Sequence, residues 1–372
     1  MSARRLEQQP GSIGAIAAEV REAVRLADAQ SPVDKPHGIR RIVHATSNAV
    51  FPKWQNTSSK AQPTGRNLFQ SPTAVLSVLI PWASLLAVIE PFYPKGERGR
   101  PPIGLERMLR VYCLQQWYAL ADEALEDALY DSQALQRFAR IDLAAEGVPD
   151  ATTLLKFRRL LETHDLCKGL FTAINADLTA RGLLLKAGTL VDATLIAAPS
   201  STKNQKKERD PQMHQTKKGK QWYFGMKAHI GADRDSKLVH TVVVTAANVA
   251  DVTKTAELLH GKEQQVHADA GYTGVEKRPE IVALEQKIDW QIARKRGLIK
   301  ALAEGAEKEA LRAVEKTKAS VRAFVEHPFH IVKNLFRHRK VRYRGLTKNG
   351  HQLYTLFGLA NVLIGGRTGA KA

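Results

Sequence analysis

The chain has 372 residues, with 56 lysines and arginines against 37 aspartates and glutamates, a formal net charge of +19. That length allows two or three domains, and a hydrophobic share of 44% supplies material for buried cores, so wholesale disorder is excluded. So large a basic excess implies a polyanionic partner, either nucleic acid or an anionic membrane surface. Two cysteines, Cys113 and Cys167, cannot form a disulfide framework or a cysteine-rich zinc module, which fits a reducing compartment.

Residues 1–66 combine an amphipathic stretch, Ile13 to Ala27, with segments rich in Ser, Pro, Gln, Asn and Thr (SPVDKPHG, QNTSSKAQPTG). Such a composition buries little and reads as a mobile leader, of native or non-native origin. The opening MSARRLEQQP lacks the apolar core and cleavage site of a secretory signal, so a cytoplasmic protein is expected. Residues 67–89 carry no charge, and a membrane span must be weighed. Polar side chains and the prolines at 72 and 81 divide the run into two short buried segments, with Pro81 opening a helix (PWASLLAVIEPFYP) that ends before Pro91.

The chain from 67 to 187 is expected to form a helical DNA-binding domain. After the basic loop ERGRPPIG, Leu105, Met108, Leu109 and Tyr112 recur at helical spacing, and so do Leu125 and Leu129, then Leu135, Phe138 and Ala139. Two further helices follow in VPDATTLLKFRRLLETHDLCKGLFTAINADLTARG, with Asp150 as N-cap, Leu154, Leu155 and Leu161 on one face, a THD turn, and Gly182 as the stop. Lys156, Arg158 and Arg159 make the pair either a DNA-contacting unit or an ordinary helical hairpin with a solvated basic face.

From Gly188 the texture changes to strands. TLVDATLIAA is a β-rich run, and WYFGMKAHI and LVHTVVVTAA flank the turn ADRDSK as a hairpin. NVADVTKTAELLHGK reads as a helix opened by Asp251, QVHAD as a strand, VEKRPEIVALEQK as a helix and KIDWQIARK as a strand, before a long helical pattern from 301 to 339 interrupted at Pro328. That element order is the order of a ribonuclease H-like domain over 188–345, with 346–372 left as a terminal tail. The expected fold is α/β: a ribonuclease H-like catalytic domain preceded by an all-helical DNA-binding domain.

Asp192 sits in the middle of an apolar strand, where an ionised carboxylate is costly unless paired. Asp269 ends the strand QVHAD, where it could equally open a turn, and Glu326 lies on the terminal helix, where it could equally face solvent. In the expected fold the first and fourth strands are neighbours and the last helix packs near them, so all three converge although 77 and 57 positions separate them. Hard carboxylate oxygens suit Mg²⁺, with Mn²⁺ as substitute, and two such ions can stabilise both the attacking and leaving oxygens of a phosphoryl displacement. Arg322 and Lys333 stand four before and seven after Glu326, flanking it with cations; an intrahelical Arg322–Glu326 salt bridge is the plainer use of the first.

Basic residues crowd two further stretches. Lys203, Lys206, Lys207, Arg209, Lys217, Lys218 and Lys220 follow the Asp192 strand, and Lys333, Arg337, Arg339, Lys340, Arg342 and Arg344 lie beyond Glu326 with no acidic residue from there to the end. Both read as phosphate-gripping surfaces. No Walker loop or dinucleotide fingerprint is present, so the chemistry should not need ATP.

VDATLIAAPSSTKN, WYFGMKAHIG, DAGYTGVEKR, VEHPFHIVK and VRYRGLTKN, with GRPPIGLERMLRVYCLQQWYALAD upstream, together resemble the bacterial insertion-sequence transposases of the DDE class, in the insertion sequence five family. The likeness runs from about residue 77 to about residue 363. The family's terminal signature spaces Tyr, Arg, Glu and Lys; here Arg322, Glu326 and Lys333 keep that spacing, while Ala319 stands where the tyrosine is usual. The resemblance implies Asp192, Asp269 and Glu326 as catalytic metal ligands. It further implies cleavage at the ends of an element, transfer of the 3′-hydroxyl to target DNA, and at least a dimer bridging two ends on double-stranded DNA. A nuclease without strand transfer and a non-catalytic DNA-binding repressor derived from a transposase are the alternatives.

Overall fold

The computed structural model describes residues 77–96, 101–185 and 187–369. The leader, its expected helix at 13–27 and the start of the uncharged run at 67–89 lie outside the described residues. The described chain groups into two units: one holds the residues up to His164 with Ala176–Leu183 and those from Gly365, the other holds Asp165–Asn175 and Leu184–Ile364.

The first unit is built on α1 (Trp82–Ile89), α2 (Leu105–Tyr118), α3 (Asp122–Asp131), α4 (Gln133–Ala139) and α5 (Ala151–Thr163). Pro81 precedes α1, and Pro91 lies in the single turn that ends it. No helix among the described residues is long and apolar enough to cross a membrane. Residues Met108 to Trp117 of α2 are all buried, Arg110 among them. Its guanidinium binds Glu106, donates to Ser77 Oγ and the Phe138 carbonyl, and stacks 4.0 Å from the Trp82 ring. Asp150 caps α5 by accepting the Thr153 N–H at 2.7 Å.

On α5 the inward face is Leu154, Phe157, Arg158 and Leu161, while Leu155, expected inside, is 41% exposed. Arg158 falls on the inward face because it lies one turn after Leu154, and there Asp122 and Gln115 hold its guanidinium. It is therefore withdrawn from the basic face, leaving Lys156 and Arg159 exposed.

The second unit begins with α6 (Leu166–Ala180), as far as Asn175, and centres on a mixed sheet of β1 (Gly188–Ala197), β2 (His214–Lys218), β3 (Gln221–Asp233), β4 (Val239–Ala246), β5 (Gln265–Ala268) and β6 (Asp289–Ile292). The order is β2-β3-β1-β5-β6, with β4 also on β3. β1, β2 and β4 pair antiparallel to β3, whereas β1–β5 and β5–β6 are parallel. β2 lies inside the lysine-rich stretch after β1, where the sequence carries no strand signal. The expected helix VEKRPEIVALEQK contracts to two single turns, Val275–Lys277 and Pro279–Val282.

Helix α7 (Ala306–Arg322) packs on β5 and runs into a tight turn, Ala323–Val325, that packs on β1. Pro328 does not stop the helical path, which continues through Glu326–His330 into a wider π turn, Ile331–Leu335. Tightening before the proline and widening after it accommodate the missing N–H. Residues expected to form a tail are α8 (Leu346–Gly369), a long helix that buries Leu353, Leu356, Phe357, Leu359, Ala360, Val362 and Ile364.

Both β4 and β2 lie at the sheet's edge, and β4 is partly capped by side chains from α6 and α8. The fully buried Asn361 accepts the Val239 N–H at 2.8 Å and donates to the Val239 carbonyl at 2.6 Å and to Asn175 Oδ1 at 2.7 Å. Tyr354 Oη donates to the Val242 carbonyl at 3.2 Å. Removing one such partner strands buried donors and acceptors, so Asn361→Ala should cost about 2–3 kcal/mol in urea unfolding. A loss below about 0.5 kcal/mol would show the β4 edge to be held otherwise.

Candidate active site

The parallel register of β1 on β5 fixes the two aspartates. Gly188 pairs with Gln265, Thr189 with Val266 and Leu190 with His267, an offset of 77 positions, the same interval that separates Asp192 from Asp269. Asp192 therefore stands level with Asp269 where β5 ends while β1 continues along β3, at the carboxyl end of the parallel strands, the usual place for a site in such sheets.

Asp192 Oδ1 accepts its neighbour's N–H, from Ala193, at 2.7 Å, and its side chain keeps 19% exposure. Burial pushes this carboxyl up to about 6; the Ala193 N–H opposes the rise, the charge of Asp269 adds to it, Arg322 opposes it, and Asp251 adds again. Asp269 also opens a turn, accepting the Gly271 N–H at 2.8 Å through Oδ1. A Cβ at position 271 would come within 2.9 Å of that oxygen, which explains the glycine.

Glu326 reaches the site through Arg322. The guanidinium lies 3.5 Å from Asp192 Oδ2 by Nη1 and 3.8 Å from Glu326 Oε1 by Nη2, so the intrahelical pair read from the spacing extends to a third partner on β1. Glu326 itself is 66% exposed. Ala319, at the usual tyrosine position, is exposed on α7.

Two residues that sequence reasoning missed adjoin the aspartates. Asp251, taken only as a helix start, forms an ion pair with Lys227 at 2.9 Å and stands 3.7 Å from Nδ1 of the fully buried His229, whose ring burial pushes down to about 4. Tyr272 is 1% exposed, and its hydroxyl finds no hydrogen-bond partner among the described residues. Burial and the charges of Asp192, Asp251 and Asp269 push that phenol far above its ordinary range. The glycine-bounded DAGYTG turn was the available signal for it; nothing local singled out Asp251.

Among the described residues no three His, Cys, Asp or Glu side chains stand close enough to share a metal ion. The chemistry nevertheless suits a hard cation: the charges of Asp269 and Asp251 both act on Asp192, and a phenol oxygen with no partner among the described residues is buried beside them. Among the described residues Arg322 is the cation paired with Asp192.

The basic residues divide by place. Lys203, Lys206, Lys207, Lys217, Lys218 and Lys220 are exposed, as are Arg337, Arg339 and Lys340. The backbone at Arg339 and Val341 pairs with Ala197 at the end of β1, and Asp210 and Gln212 accept the N–H groups of Gly345 and Leu346, so the two basic stretches are tied to each other and to the end of β1. Lys333 is half-buried, and burial, with Lys218 and Arg339 nearby, lowers its pKa.

The raised Asp192 pKa makes stability depend on pH. Below its ordinary value of 3.8 the carboxyl is neutral folded or unfolded and costs nothing; the penalty grows as pH rises through about 6 and is complete above it. In metal-free buffer Asp192→Asn should therefore be about 1–2 kcal/mol more stable than wild type at pH 8 and equal to it at pH 4. Urea unfolding at both pH values checks this, and a difference independent of pH would contradict it.

Residues 184–362 match the family model described as transposase DDE domain, and residues 61–160 match the model described as transposase domain (DUF772). No solved structure matches the chain significantly. The DDE domain implies a ribonuclease H-like fold for the mixed sheet and a nuclease or transposase activity, and enzymes of this kind generally use divalent metal ions. Together the two matches support a DDE transposase of the insertion-sequence kind.

Proposed function

We propose that the chain is a DNA transposase of the insertion sequence five family that binds the terminal inverted repeats of its element, cleaves at the element ends and joins the 3′-hydroxyl to target DNA. The observation that carries this reading is the shared offset of 77 positions, by which β1 and β5 bring Asp192 and Asp269 level while Arg322 links Asp192 to Glu326. Asp192, Asp269 and Glu326 would hold Mg²⁺, or Mn²⁺ in its place. When bound, such ions activate the attacking oxygen and stabilise the leaving one.

The chain's own residues then have distinct tasks. The two aspartates supply anionic oxygens from a rigid sheet, and Glu326, on an exposed helical turn, can swing toward them. Arg322 balances Asp192 before a cation arrives and is then free to meet a DNA phosphate beside Lys333. Lys203, Lys206, Lys207, Lys217, Lys218, Lys220, Arg337, Arg339 and Lys340 grip the phosphodiester backbone, and Lys156 and Arg159 make the helical unit's contacts. A dimer or larger assembly on two ends, working on the nucleoid in the cytoplasm, completes the proposal.

The test is purified protein with Mg²⁺ and labelled duplexes of the repeats flanking its gene. Joined product supports the transposase, cleaved product alone a nuclease, and binding without either a repressor. Asp192→Asn, Asp269→Asn and Glu326→Gln should each lower cleavage at least about a thousandfold while leaving duplex affinity within about threefold. Wild-type cleavage in any one of them would remove that residue from the site.

A further inference from the structure

The β2–β3 hairpin extends past the end of β1 and is exposed on both faces. β1 ends at Ala197, opposite Gly225, and the hairpin continues from there, Gly225 pairing with His214 and Gln221 with Lys218. A Cβ at Gly225 would lie 2.1 Å from the Ile196 carbonyl, so the ribbon leaves the sheet through a backbone approach that only glycine permits. Its two-residue turn, Gly219-Lys220, has φ +62° at the glycine, as a tight hairpin turn with glycine first requires. Among the described residues nothing apolar covers the tip: four of the five β2 residues are exposed, and Trp222 is 63% exposed.

One face of this arm alternates rings and cations. Trp222 pairs across the strands with Lys217, whose Nζ lies 5.7 Å from the indole centroid, and Phe224, on the same face two residues on, has the Arg209 guanidinium at 5.5 Å. Exposing an indole to water is unfavourable, and a flat ring flanked by cations is the pairing that receives a nucleobase with its phosphate. A second copy of the arm would bring lysines against lysines. The nearby acids are engaged, Glu208 near Arg344 at 3.9 Å and Asp210 on the Gly345 N–H.

We infer that the β2–β3 hairpin is a DNA arm on which Trp222 stacks against a base unstacked from the duplex, with Lys217 on the adjoining phosphate. Bases in an intact duplex hide their faces, so the ring needs a base step that opens. The position follows from the strand. Trp222 lies eight residues before Ile230, the partner of Asp192, or roughly 25 Å at ~3.3 Å per residue. At ~3.4 Å per base pair the opened base lies roughly seven or eight pairs from the phosphate at the catalytic carboxylates. That placement rests on the function proposed above.

The experiment uses the full chain and duplexes of the flanking repeats, each carrying one mismatched pair at successive positions on either side of the cleavage point. A mismatch lowers the cost of unstacking, so wild type should bind roughly fivefold to tenfold more tightly when it lies about seven or eight pairs away on one side. Trp222→Ala should abolish that local gain and leave the salt dependence of binding intact; Trp222→Phe should keep most of it. Lys217→Ala should instead reduce the slope of log K against log salt by about one at every position. A Trp222→Ala profile identical to wild type, or a wild-type profile flat across positions with cleavage intact, overturns the arm and leaves the transposase reading standing. Wild type that neither binds nor cleaves any duplex overturns both.

Discussion

An ionised carboxylate inside a β-sheet requires a cation, and Asp192 imposes that requirement on everything near it. The strand that carries it is pinned between β3 and β5, so the side chain cannot retreat to solvent without breaking the sheet. One backbone N–H and one guanidinium meet it, and neighbouring aspartates make the deficit of positive charge worse. Arg322 is therefore a counter-charge before it is anything else. Its second bond, to the exposed Glu326, is of the kind that contributes only tenths of a kcal/mol, so that carboxylate is easily recruited elsewhere. A site held this loosely around one strongly constrained carboxylate is suited to taking up a divalent ion.

The constraint is delivered by topology. The aspartates owe their proximity to a parallel register that needs a crossover connection, and Glu326 owes its place to α7 and the tight turn after it packing on β5 and β1. α8 contributes at the opposite edge by satisfying Val239, which stabilises β4 and through it β3, the strand opposite Asp192. The match to the transposase DDE domain, over residues 184–362, and the unit that holds the sheet both extend into the buried part of α8.

Much of this was legible in the sequence because strong local signals coincided with the fold. β1, β3 and β4 are apolar or β-branched runs, and an aspartate inside the first is anomalous on its face. β2 is hidden because HQTKK has neither apolar alternation nor β-branched character beyond Thr216; it forms as the partner of β3 along the arm. Arg158 reads as a surface cation because an arginine on an amphipathic helix usually faces water, and nothing nearby announces Asp122 as its buried partner. Asp251 and Tyr272 were missed for the same reason: each looks like an ordinary cap or turn residue, and only folding brings them beside Asp192. α8 reads as a tail because its glycines and polar residues dilute a pattern that is buried nearly all round.

The basic stretches adjoin the strand that carries Asp192, since the end of β1 pairs with the Arg339–Val341 backbone and, through β3, lies beside the root of the lysine-rich arm. Phosphates gripped there would lie along the line that leads to Asp192. The most direct measurement is Mn²⁺ binding to the full chain, followed by electron paramagnetic resonance, for wild type, Asp192→Asn and Asp269→Asn. Saturable binding by wild type that weakens at least about tenfold in both variants is the result a shared cation site requires. Equal Mn²⁺ affinity in all three would contradict it.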